Sequence, residues 1–126
     1  MGYDYIIRGR CYDMTYEEVV QCARDAYENA DARHIYEHIA VQVNVTGEGA
    51  GIFYIEVAER SVCVEPYDYY DRDALLTLTA DTVVALAQGK LRLMDAVKQG
   101  LIRIEGNTEK VWTLATVKLR SRQLKP

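Results

Sequence analysis

The chain has 126 residues and a mass of 14.4 kDa, 49% of them hydrophobic and 27% charged. That is chain enough for one globular core, and it excludes a disordered polymer, a collagen-like repeat and a cofactor domain joined to a substrate domain. The net charge is −4 with a pI of about 5.2, so the cation surplus that nucleic-acid phosphates demand is missing. Cys11, Cys22 and Cys63 form no C-x-x-C pair and make an odd count, the usage expected of reduced thiols in a cytoplasmic protein. No apolar run approaches the ~18 residues of a membrane span, and the first ten residues hold no apolar stretch of signal-peptide length.

Residues 1–13 show no period and read as an N-terminal arm. Thr15-Tyr16-Glu17-Glu18 is a capping box, with Met14 and Val19 placed as a hydrophobic staple. Val19, Val20, Ala23, Ala26 and Tyr27 then recur at helical spacing, which predicts a helix over 16–30, and Cys22 sits in it as a small core residue. Ile39, Val41, Val43 and Val45 alternate with Ala40, Gln42, Asn44 and Thr46, the pattern of a half-buried strand. The glycine-rich run 47–51 leads into another strand, IFYIEVAE, not into a helix. It is therefore a hairpin turn and not a phosphate cradle, which must open a helix. Glu59-Arg60 turns into SVCVEPY, with Val62 and Val64 inward. Residues 67–73 form an acidic, Tyr-rich loop, in which Asp71 and Asp73 read as solvated. ALLTLTA supplies a fourth strand, with Leu76 and Leu78 inward.

The period then becomes helical. Val83, Val84, Leu86 and Ala87 form one stripe, which Gly89 stops. Leu93, Met94, Ala96 and Val97 form a short second helix ending at Gly100. LIRIEG is a fifth strand, and 108–120 reads as a last helix carrying Val111, Trp112, Leu114 and Ala115. The order helix, four strands, two helices, strand, helix segregates the element types, which defines an α+β class. The expected architecture is a five-stranded, mostly antiparallel sheet covered by helices. The domain spans 14–120, and a basic tail follows at 121–126.

Polar chemistry is thin. His34-Ile35-Tyr36-Glu37-His38 matches H-x-x-E-H, a zinc-peptidase pattern that needs a helix to hold both imidazoles on one face. A strand begins at Ile39 instead, so a metal site is not expected. With both histidines spent there, no Ser-His-Asp or Cys-His set remains, and the chain reads as neither an enzyme nor a cofactor protein. What is left is an aliphatic sheet face under helices, which encloses either a filled core or an apolar cavity that favours an apolar guest.

Ala74-Leu75-Leu76-Thr77-Leu78-Thr79, Asp81-Thr82-Val83-Val84-Ala85-Leu86, Gly89-Lys90-Leu91, Ala96, Gly100 and Ile102-Arg103-Ile104-Glu105-Gly106-Asn107 together resemble the sterol carrier protein type-two family. The compact first half resembles a bacterial stand-alone member, and most bacteria lack sterol. The resemblance implies a five-stranded sheet with an apolar cavity between layers, and binding or transfer of a fatty acid, a sterol-like molecule or another single-chain lipid without catalysis. The lipid-lining candidates are Phe53, Ile55, Leu78, Leu86, Leu91, Met94, Val97, Val111, Leu114 and Ala115. Turns fall at Gly89, Gly100 and Gly106. The partners considered are the lipid itself, a transient membrane contact and a second copy of the chain. The rival reading is a non-catalytic structural or dimerisation module with a filled core.

Overall fold

A computed structural model gives the structure of residues 14–28 and 30–119. The arm expected at 1–13 and the tail at 121–126 lie outside the described residues. Helix α1 (Tyr16–Tyr27) starts on the capping box read from the sequence. The Glu18 amide donates to Thr15 Oγ1 at 3.2 Å and the Thr15 amide to Glu18 Oε1 at 2.9 Å. Met14 and Val19 are buried beside it. The helix ends three residues earlier than the periodicity predicts. The chain turns there, and Asp31 pairs with Lys118 through two backbone hydrogen bonds, of 2.9 and 3.2 Å.

The strands are β1 (Ile39–Thr46), β2 (Gly51–Ala58), β3 (Ser61–Glu65), β4 (Ala74–Thr79) and β5 (Arg103–Gly106). They form one sheet in the order β3-β2-β1-β4-β5. Only the β1–β4 pair is parallel. The β2–β3 hairpin turns at Glu59 and Arg60, both at positive φ (52° and 65°), the twist that matches antiparallel strands. A side chain at Gly51 would strike the Tyr16 ring; the glycine lets that ring lie on β2, where the Tyr16 hydroxyl donates to the Ile52 carbonyl. Val43 stands opposite both Phe53 and Leu76, so the inward rows of three strands meet at the centre.

Among the described residues four helices accompany the sheet: α1, then α2 (Ala80–Ala87), α3 (Leu93–Lys98) and α4 (Thr108–Leu114). Helix α1 packs on β3 and α2, while α2 and α4 pack on β1 and β4. Strand β4 passes into α2 without a loop, because Thr79 is both the last strand residue and the N-cap, accepting from the Thr82 amide. Arg24 of α1 donates twice to the Val64 carbonyl, at 3.2 and 3.0 Å, and Glu28 accepts from the Val64 amide at 3.1 Å. The helix thereby covers exposed backbone groups of the edge strand. Helix α4 stops at Leu114, short of the predicted 120, since the chain after it bends to bury Val117 and pair Lys118 with Asp31.

Two expectations change on the other face of the sheet. Strand β1 is not half-buried: Ala40 and Gln42 are also buried, at 0% and 6% exposure. Strand β3 lies at one edge and β4 beyond β1, so the connecting loop crosses over β2 and β1. Its Tyr69 amide donates to Gln42 Oε1 (3.1 Å), its ring packs edge-on against Tyr54 at 4.9 Å, and its hydroxyl donates to Glu56 at 2.9 Å. Asp73, read as solvated, instead takes the Ala40 amide on its carboxylate at 2.8 Å, and its own amide donates to the Ala40 carbonyl at 2.7 Å. Asp71 is exposed. No helix among the described residues is long and apolar enough to cross a membrane.

Candidate functional site

Between the inward sheet face and the helices lies a cavity of about 200 Å³. Its floor is Val43, Phe53, Ile55, Leu76 and Leu78 from the three central strands. Ala23 and Tyr27 of α1 and Val83 and Leu86 of α2 form one wall. Gly89, Leu91, Arg92 and Leu93 from the α2–α3 connection and Leu114, Ala115, Val117 and Leu119 from the end of α4 and the chain after it complete the lining. Helix α3 fully buries only Ala96, with Leu93 and Val97 half-buried against the core, and so fills little of the space beside it.

Seven of the ten residues named from the sequence line this cavity: Phe53, Ile55, Leu78, Leu86, Leu91, Leu114 and Ala115. Three do not. Met94 is 54% exposed, because the neighbouring Leu93 occupies the inward position at the start of α3. Val97 is half-buried against the core outside the lining. Val111 is 0% exposed and lies in the close-packed part under α4. Ala115, at the C-cap of α4, sits at the mouth and is exposed. Val43, Leu76 and Val83 were legible as inward residues but not as cavity residues. Val117 and Leu119 were hidden by the expectation of a continuous helix.

The lining is almost wholly apolar. Its side-chain polar groups are the Tyr27 hydroxyl and the Arg92 guanidinium. Arg92 faces solvent, 86% exposed, and pairs with Asp95 at 3.5 Å. Burial, with a smaller contribution from Cys22, pushes the Tyr27 hydroxyl up to about 12. Among the described residues no nucleophile with a base beside it lines the space.

The two histidines are drawn to different partners. His34 Nε2 is 2.8 Å from Thr116 Oγ1, and His38 Nε2 is 2.6 Å from Glu56 Oε2, while Glu37 is exposed. The segment between them is not helical, so the spacing of H-x-x-E-H places no common face. Among the described residues no three His, Cys, Asp or Glu side chains gather to hold a metal ion.

Residues 21–117 match the model of the SCP-2 sterol transfer family. The chain belongs to this family. Sterol Carrier Protein 2 Like 2 from Aedes aegypti shares the fold at a TM-score of 0.53 and 19% identity, over 79% of this chain and 89% of that one. The ubiquinone synthesis protein UbiJ-SCP2 does so at 0.51 and 16%, over 91% and 90%. A double mutant of the sec-alkyl sulfatase PisA1 reaches 0.61 at 16% identity over 71% of this chain, yet this chain spans only 14% of that enzyme's length. Among curated proteins none matches this sequence. Lipid binding or transfer is the function class that family membership supports.

Proposed function

We propose that this SCP-2 family member is a non-catalytic carrier that buries one apolar chain of a lipid in the cavity under α2 and α3. The observation that carries the reading is unfilled apolar space at the centre of the domain. A dry cavity of about 150 Å³ already holds a benzene-sized guest, and this one is about 200 Å³. Ligand pockets more often begin near 300 Å³, so the cavity takes a segment of the lipid and the remainder leaves through the mouth marked by the exposed lining residues Arg92 and Ala115. Burying about six methylenes at about 0.8 kcal/mol each supplies roughly 5 kcal/mol of gross binding, before the ordering of the chain is subtracted. A single flexible chain suits such a space better than a fused-ring sterol, and a related fold from Aedes aegypti has been solved in palmitated form.

Loading and release would take place at a membrane surface. Met94 and Leu101 are 54% and 43% exposed in the segment after α2 that also carries Lys90, Arg92 and Lys98. Exposed apolar side chains on a cation-bearing segment suit an anionic phospholipid surface.

Two measurements test the reading. Mass spectrometry of an organic extract of the purified protein is expected to find a lipid at close to one per chain. Vesicle flotation is expected to show salt-sensitive association with anionic vesicles and none with zwitterionic ones. A protein that yields no lipid and binds no fatty acid or fatty alcohol in titration is a structural or dimerisation module instead.

A further inference from the structure

The cavity contains one polar group that the apolar reading leaves unused. Tyr27, in the last turn of α1, lines the space, and its hydroxyl makes no hydrogen bond to any described residue. Tyr27 is half-buried, and burial is the larger cause that holds its hydroxyl proton above the ordinary phenol range. A buried hydroxyl without a partner is costly, and cores that need only bulk take Phe at such a position.

We propose that Tyr27 is the polar anchor of the cavity, and that the ligand it selects carries an uncharged oxygen acceptor (a hydroxyl, ester or ketone) on the part seated inside. This inference rests on the lipid-carrier reading and adds to it the chemistry of the ligand. The anchor remains a donor at every physiological pH, since its proton is held to about 12. An ionised carboxylate is disfavoured here because among the described residues no free cation faces it. Arg24, on the same helix, is taken up by the Val64 carbonyl, Glu28 and Glu65, and Arg92 is at the solvent-facing mouth beside Asp95. A neutral phenol satisfies a neutral oxygen without stranding a charge in apolar surroundings.

The test uses the delipidated protein and three probes of matched length: 1-decanol, undecane and decanoate at about pH 8, titrated by calorimetry. A neutral hydrogen bond of ordinary strength predicts that the ratio of 1-decanol to undecane affinity is about three- to tenfold higher in the parent than in Tyr27→Phe, where the bound hydroxyl has lost its partner. Undecane itself is expected to bind the two proteins within about twofold, since the ring and its burial are retained. Independently of any variant, the ring-carbon NMR resonance bearing the Tyr27 hydroxyl is expected to shift with 1-decanol and not with undecane. A ratio unchanged in Tyr27→Phe, or decanoate binding more tightly than 1-decanol, overturns the anchor. Either outcome leaves the carrier reading standing. Absence of binding by all three defeats the carrier reading itself.

Discussion

Replacing Leu78 with Phe distinguishes a cavity from a filled core by the sign of the effect. Leu78 lies on β4 at 4% exposure, opposite Val45 in the parallel register, with its side chain on the cavity floor. Side chains that border unfilled apolar space lack packing partners on that side. Phe adds three carbons. If they enter that space, each contributes up to about 0.8 kcal/mol, and some rearrangement cost leaves a gain of about 1–2 kcal/mol. For a domain of this size that raises the thermal midpoint by roughly 3–10 °C. In close-packed surroundings the same change costs about 1–3 kcal/mol and lowers the midpoint. Val111 supplies the internal control: it is fully buried and outside the cavity, so Val111→Phe is expected to be destabilised. Both variants are stripped of lipid and followed by thermal circular dichroism, because bound ligand raises apparent stability by mass action. Calorimetric titration with 1-decanol is expected to show about tenfold weaker binding for Leu78→Phe, whose added ring occupies the site. A fall in midpoint for Leu78→Phe equal to that of Val111→Phe would refute the cavity reasoning.

Two further outcomes concern the loop over the other sheet face. Burial raises the Glu56 carboxyl, but hydrogen bonds from His38 and Tyr69 outweigh it and leave the group below its ordinary 4.5. A carboxyl lowered on folding contributes stability above its ordinary value, and that stability is lost as pH falls through the folded value. Urea midpoints of the parent should therefore decline below about pH 4.5 more steeply than those of Glu56→Gln; parallel curves would show that the pair does no such work. Asp73→Ala removes the acceptor of the Ala40 amide and the carboxylate 3.6 Å from the Lys110 ammonium. The expected loss is about 1–3 kcal/mol, read as a lower urea midpoint at unchanged slope.

Much of this fold is legible locally. The capping box at Thr15 and Glu18, the alternation of Ile39 to Val45, the Glu59-Arg60 turn and the helical stripe after Thr79 each need only a few neighbouring residues, and each appears where the sequence places it. Periodicity also separates inward from outward side chains, so Phe53, Ile55, Leu78 and Leu86 could be named as candidates. Tertiary structure alone decided the remainder. Whether inward residues meet or leave space depends on volumes brought together from α1, three strands and the α2–α3 connection, and no local pattern encodes that difference. Leu93, not Met94, faces the cavity because the rotation of a six-residue helix is set by its packing on the sheet. The end of α4 at Leu114 follows from Lys118 pairing with Asp31, a contact 87 residues distant in sequence. Ala40, Gln42 and Asp73 are buried or bonded because the chain must cross the sheet from β3 to β4, a consequence of strand order. Tyr27 reads as one more apolar position in a helical stripe; only the assembled cavity reveals that its hydroxyl has no partner among the described residues.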